Sequence, residues 1–142
     1  MFKFITQRRR GTAIIETKKG ILIAANRSKV FLLPGGAASR KESRMQAAIR
    51  EVKEETGLEP YFAMALFRLE GRTHSFKHIT DFHTVYYIKA KGEARPTQEI
   101  KYLDWYKAGK DIQLSQTTKR ILDQYVEYKK KNKVLFKELE QF

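Results

Sequence analysis

The chain contains no cysteine, which excludes disulfides and thiolate metal sites alike. No apolar run approaches the length of a membrane span. The basic stretch Met1 to Gly11 carries neither an apolar signal core nor a small-residue cleavage site. Together these absences predict a protein that is not exported and not membrane-embedded, with the cytoplasm as the simplest location. Internal repeats and low-complexity linkers are also missing. The 142 residues, 42% of them hydrophobic, therefore predict a single domain over 1–142 with one core. Acids are scarce, with 16 Asp+Glu against 29 Lys+Arg, and the net charge is +13. Such a surplus favours polyanionic partners: phosphate-rich small molecules, RNA or a membrane surface. Scattered lysines usually mean no more than solubility, so distribution has to decide. The acids gather at Glu42, Glu51, Glu54 and Glu55, flanked by Arg8 to Arg10, Arg40, Lys41 and Arg44. An acidic cluster inside a basic protein points to a cation site facing an anionic ligand.

Hydropathy patterning places these residues on elements. Thr12 to Ile15 and Ile21 to Ala25 are β-rich runs split by Lys18-Lys19-Gly20, the pattern of a hairpin. Val30 to Leu33 predicts a short buried strand ending at Pro34-Gly35-Gly36. From Ser43 to Thr56, Met45, Ala48, Ile49 and Val52 recur at helical spacing, and Gly57 stands where a left-handed cap belongs. Tyr61 to Phe67, Phe82 to Ala90 and Glu99 to Tyr106 predict further strands. Leu114 to Lys130 predicts a second helix through Ile121, Leu122, Tyr125 and Val126, with Lys129 to Lys133 at a solvated helix end. Strands, helix, strands, helix imply a mixed sheet with helices packed on it.

On the first helix, Glu51, Glu54 and Glu55 fall within one narrow face at i, i+3 and i+4. Carboxylates on adjacent turns repel by a few tenths of a kcal/mol per pair. A hard divalent cation offsets that repulsion, because Mg²⁺ prefers oxygen ligands and binds through a few carboxylates plus substrate phosphates. An acidic helix face is ordinarily only a solvated one. Here the context outweighs that reading. Pro34-Gly35-Gly36 lets backbone groups approach a ligand closely, and Glu42 and Arg50 complete a fixed spacing with the helix.

The segment Gly36-x5-Glu42-x7-Arg50-Glu51-Val52-x-Glu54-Glu55-x-Gly57-Leu58 resembles a complete box of the Nudix hydrolase family. Its identities would coincide by chance in such a chain on the order of once in ten million at average residue frequencies. The resemblance implies an α/β fold: an α/β/α sandwich around a mixed β-sheet, with the box as a loop-helix-loop. It implies hydrolysis of a nucleoside diphosphate linked to another moiety, with Mg²⁺ or Mn²⁺. Glu54 and Glu55 match the central metal ligands. Glu51 matches a further ligand and, in some members, the base. Glu42 is similar in place to an outer member of the metal cluster, and the Gly35 carbonyl to a backbone ligand. Arg50 resembles the arginine that orients these carboxylates. Family members draw their base from the box or from a later loop, and Glu99 resembles that later candidate; an ordinary strand-edge carboxylate explains it equally well. Monomers and dimers both fit the family.

The chemistry is intelligible without the name. Metal ions neutralise the negative oxygens of a diphosphate and lower the pKa of a bound water, and a carboxylate accepts that water's proton. Arg40, Lys41 and Arg44, inside the box loop, are candidates for phosphate contact, and Arg8 to Arg10 form either a disordered basic tail or a phosphate clamp. His74, His78 and His83 lack metal-ligand spacing and are read as substrate-facing or exposed. Tyr86, Tyr87 and Trp105 are read as core rather than base-stacking residues. The proline and the tyrosine that mark ADP-ribose and many dinucleoside polyphosphate hydrolases past the box are absent; Thr73, His74 and Ser75 occupy that region. The charge suits a dinucleoside polyphosphate, a diphosphoinositol polyphosphate or a triphosphorylated RNA end alike. Two other classes compete with a hydrolase: a catalytically silent Nudix-fold nucleotide or RNA sensor, and a basic RNA-binding protein with an incidental acidic helix.

Overall fold

The computed structural model describes residues 6–72, 79–97 and 99–142. Along the chain come β1 (Thr6–Ile14), β2 (Glu16–Thr17), β3 (Gly20–Ala25), β4 (Gly35–Ala37), α1 (Arg44–Thr56), β5 (Glu59–Arg72), β6 (Ile79–Lys91), β7 (Tyr102–Tyr106), α2 (Gln116–Lys131) and α3 (Lys133–Leu139). Four strands form a mixed sheet in the order β4-β1-β6-β5. There β1 runs parallel to β6 and antiparallel to β4, while β5 and β6 pair antiparallel. A second, antiparallel sheet has the order β2-β3-β7.

Successive strand side chains point to opposite faces, and the buried residues sort accordingly. Ile14, Ile21, Ile23, Val85 and Tyr87 pack with Ile121, Leu122 and Tyr125 of α2 and with Phe136 and Leu139 of α3. Their neighbours Ala13, Ile15, Leu22, Tyr86 and Ile88 pack with Ala48 and Val52 of α1. Both faces are thus covered by helices, giving an α/β/α sandwich. Each fully buried aliphatic side chain contributes roughly 1.5–3 kcal/mol, which is what anchors α1 against the sheet. Its ends are set locally. Ser43 accepts from the Gln46 amide while the Gln46 side chain accepts from the Ser43 amide, a capping box, and Gly57 closes the helix at φ 74°.

Several expectations shift. Residues 30–33 do not form a regular strand: Phe31 and Leu32 make only isolated bridges, to Leu114 and Ala24. Leu32 is 44% exposed, and Leu33 alone of the apolar run is buried. The hairpin turn lies where Lys18-Lys19-Gly20 places it, but it joins β2 to β3; at Ile15 the chain leaves the first sheet for the second. Strand β7 begins at Tyr102, so Glu99 precedes it. Helix α2 begins at Gln116 behind the cap Ser115, and Leu114 belongs to the bridge with Phe31. The lysine-rich stretch crosses a break at Asn132, and Lys129 is held by Glu16 rather than simply solvated. Arg8 to Arg10 are part of β1, not a tail ahead of it. No helix among the described residues is long and apolar enough to cross a membrane.

Candidate active site

Strand β4 lies on β1 with Gly36 opposite Gly11 and Gly35 opposite Thr12. Both pairings matter for α1. A Cβ on Gly11 would stand 1.9 Å from the Arg44 carbonyl oxygen, so only glycine lets the start of α1 lie against β1. A Cβ on Gly36 would stand 2.5 Å from Glu51 Oε1. The Glu51 carboxylate therefore rests on the β4 backbone itself, in space a side chain would fill.

Arg50 gathers the neighbouring acids. Its Nε donates to Glu42 Oε2 at 2.8 Å and its NH2 to Glu42 Oε1 at 3.0 Å. NH1 donates to Glu51 at 2.8 Å and to Glu54 at 3.2 Å, and NH2 also reaches the Ala37 carbonyl at 3.2 Å. A planar guanidinium suits this fork of partners. Its hydrogen bond to Glu42, joined by the Ser39 amide, holds that carboxyl down at about 2. The same partners keep Arg50 charged.

Glu55 behaves oppositely. Burial pushes its carboxyl well above the usual range, and a hydrogen bond with Glu51 and that residue's charge push the same way. The Gly35 amide and the charge of Arg10 only partly offset this. A hydrogen bond between two carboxyl groups requires a proton, so Glu51 and Glu55 form a site that one proton or one cation satisfies. All donors are hard carboxylate oxygens, the set that suits Mg²⁺ or Mn²⁺. Among the described residues, no three acidic or histidine side chains converge as a ready ion cage; Arg50 engages Glu51 and Glu54 instead.

Beside this cluster opens a cavity of about 690 Å³. Arg10, Thr12, Asp81 and His83 line its sheet side, and Leu33, Leu114 and the first turn of α2 line the other. Thr12 connects it to the cluster through its pairing with Gly35, and Arg10 does so through its charge on Glu55. His83 is buried, and its Nδ1 lies 2.8 Å from the Thr12 hydroxyl. Desolvation, aided by the charge of Arg10, lowers its pKa from 6.5 to about 4 despite Asp81. It is therefore neutral at pH 7, and of the two roles expected for it the exposed one is excluded. Arg10 Nε is buried without a hydrogen-bond partner among the described residues.

The structure thus brings Glu42, Arg50, Glu51, Glu54, Glu55 and the backbone at Gly35 together. Arg40 and Lys41 are exposed on a turn. Arg44 donates to the Phe82 carbonyl at 3.3 Å and lines a different cleft. Glu99 is exposed in the loop before β7, and no hydrogen bond or ion pair of the described residues joins it to the cluster. His74 and His78 lie outside the described residues, as do Thr73 and Ser75. Tyr86 and Tyr87 are buried and Trp105 is partly so, in core packing as expected. Sequence reading missed Gly11 and the Thr12–His83 pair, and it named Arg8 to Arg10 together without singling out Arg10. Their common signal is the i, i+2 spacing of Arg10 with Thr12 and of Asp81 with His83, which means nothing until the register sets β1 beside β6.

The NUDIX domain family matches residues 6–124. A nudix hydrolase family member from Chromobacterium violaceum is 34% identical, with a TM-score of 0.79 over 94% of this chain and 89% of that one. A MutT NUDIX hydrolase from Burkholderia pseudomallei is 24% identical, with a TM-score of 0.73 over 84% of this chain and 98% of that one. An ADP-ribose pyrophosphatase from Streptococcus suis is 20% identical, with a TM-score of 0.57 over 78% of this chain and 81% of that one. The last two likenesses speak for the fold alone. A comparison with curated proteins found no match.

Proposed function

The chain belongs to the Nudix hydrolase family, a hydrolase fold acting on pyrophosphate bonds, and from that premise we propose a Mg²⁺- or Mn²⁺-dependent pyrophosphohydrolase. Its substrate would be a nucleoside diphosphate linked to a further moiety. The observation that carries this reading is Glu51 resting on the Gly36 backbone with Glu55 at the Gly35 amide and Glu54 tied in through Arg50, beside a cavity of about 690 Å³. Glu51, Glu54 and Glu55 would hold the cation, with Glu42 outside them tying Arg50 in place. A divalent cation there supplies charge neutralisation on the phosphate oxygens. The carboxylate cluster accepts the proton of the attacking water as the P–O anhydride bond breaks. Arg10 and Lys119 face a substrate from opposite sides of the cavity, and the apolar wall of Val30, Leu33 and Leu114 with the amides of Gln113 and Gln116 suits a nucleoside better than a bare phosphate chain.

The Streptococcus suis neighbour is named an ADP-ribose pyrophosphatase, a substrate of this class, which is consistent with this reading. A panel of sugar nucleotides, dinucleoside polyphosphates, modified nucleoside triphosphates, inositol pyrophosphates and capped RNA tests it, run with Mg²⁺ or Mn²⁺ beside Glu54→Gln. We expect phosphate release from a nucleotide substrate and a loss of kcat on the order of 10²-fold or more in the variant. Full activity of Glu54→Gln would remove the catalytic assignment. No release from any substrate, with nucleotide binding retained, would make the protein a sensor instead.

A further inference from the structure

The sheet face that carries α1 has a second cleft, of about 410 Å³, which the hydrolase reading does not use. Its floor is made by Ala65, Arg68, Thr84 and Tyr86, and its walls by Arg9 and by Ser43 and Arg44 at the start of α1. Strand alternation separates it from the cavity described above. Arg9 and Thr84 point to the α1 side, whereas Arg10 and His83 point to the α2 side. The sheet lies between the two openings.

Three arginines lining one cleft repel one another, and among the described residues no carboxylate lines it to compensate them. The hydrogen bonds that position them go to neutral groups. Arg9 NH2 donates to the Ser39 carbonyl at 2.9 Å, and Arg44 Nε donates to the Phe82 carbonyl at 3.3 Å. Three arginines outside the cleft are paired with acids: Arg8 with Asp81, Arg50 with Glu42, Glu51 and Glu54, and Arg95 with Glu93. Glu42, the acid on which the charge of Arg9 acts, is already engaged by Arg50 through both oxygens. A further charge lies on the same spot. The first turn of α1 has no acidic residue, and Arg44 occupies it, which is the wrong sign for the positive end of a helix dipole. A bare helix would be weakened by that choice; a bound anion reverses its sign.

We propose that this cleft is a second anion site that takes a short chain of phosphates. Guanidinium groups match phosphate oxygens in paired hydrogen bonds, and the volume exceeds what one phosphate fills. None of the cluster's carboxylates lines the cleft, and the sheet separates it from the cavity beside α2, so the ligand is a free polyphosphate and not the distal end of a substrate being cut. The site stands whether or not the proposed hydrolysis is right.

Calorimetric titration with inorganic tripolyphosphate in excess EDTA tests this, since chelation removes cation-mediated binding at the carboxylates. Wild-type protein is compared with Arg9→Gln/Arg68→Gln and with Arg10→Gln, whose side chain lies on the other face. We expect the double variant to bind at least tenfold more weakly, and Arg10→Gln to bind within about twofold of wild type. Arg68→Gln alone, a change at an exposed strand position, should weaken binding several-fold and guards against misfolding of the double variant. Equal affinity in wild type and both Arg68 variants would overturn the site. A loss confined to Arg10→Gln would also overturn it, by placing the anion in the cavity beside α2.

Discussion

Arg50 and Glu55, on the same helix, show how two groups are driven to opposite electrostatic solutions. Arg50 is satisfied by carboxylates, whereas Glu55 is half-buried against another acid. Replacing Arg50 by Lys keeps the charge but loses the fork that holds Glu42, Glu51 and Glu54 in one arrangement. We expect Mn²⁺ binding to weaken by roughly 10–100-fold, the usual consequence of losing a residue that orients metal ligands; calorimetry would read it, and unchanged affinity would show that the carboxylates orient themselves. His83 supplies a second residue-scale effect. Its pKa is about 4 in the fold against 6.5 as the ordinary value, so between these limits the unfolded chain binds a proton that the folded protein refuses. The stability contributed is complete above pH 6.5, falls as pH drops towards 4, and falls no further below that. The loss is about 3 kcal/mol at most. Urea unfolding of wild type against His83→Gln across this window should show the wild type losing ground as pH falls; parallel curves would mean that His83 titrates normally. The carboxylates were legible in the sequence because a helix face is a local property. His83 was not, since burial and its Thr12 partner come from a strand 71 positions away.

At the scale of elements, α1 is the one whose ends and faces the sequence states most fully. Ser43, Gln46 and Gly57 carry its caps, and Ala48 and Val52 its buried stripe. What the sequence does not state is how closely it may approach β1, and Gly11 decides that. Gly11→Ala should cost about 1–3 kcal/mol as an overpacked contact and should also depress kcat, because lifting α1 takes Glu51 off Gly36. Ser43→Ala should cost about 1 kcal/mol through the lost cap and leave kcat nearly unchanged. Thermal unfolding beside activity separates the two; equal effects on kcat would mean that α1 tolerates displacement. The run 30–33 was misread as a strand for a physical reason: an apolar run signals burial, but Leu32 faces outward and only single bridges form there. Helix α3 escaped notice because the lysines around Asn132 mask its short apolar pattern, Phe136 and Leu139 being its buried residues.

On the scale of the whole molecule, two sheets and two helical layers are joined by few polar ties, and Glu16 is the clearest. Its carboxylate accepts from the Tyr125 hydroxyl at 2.6 Å and from Lys129 at 3.0 Å, fastening β2 to α2. Tyr125→Phe leaves Glu16 with Lys129 alone and should cost roughly 1–3 kcal/mol, measured by urea unfolding; a neutral result would show that α2 is held by its apolar face only. By itself the sequence determined the family and its reaction class, and it placed Glu51, Glu54 and Glu55 on one helix face, because the box sets its acids at fixed helical spacing. It also determined the alternation that sends each strand's residues to two helical layers. Only the tertiary structure decided which basic residues line which opening. Arg9 and Arg10 are neighbours in sequence, yet strand alternation turns them to opposite faces of a sheet whose partners, β6 and β5, arrive from far along the chain.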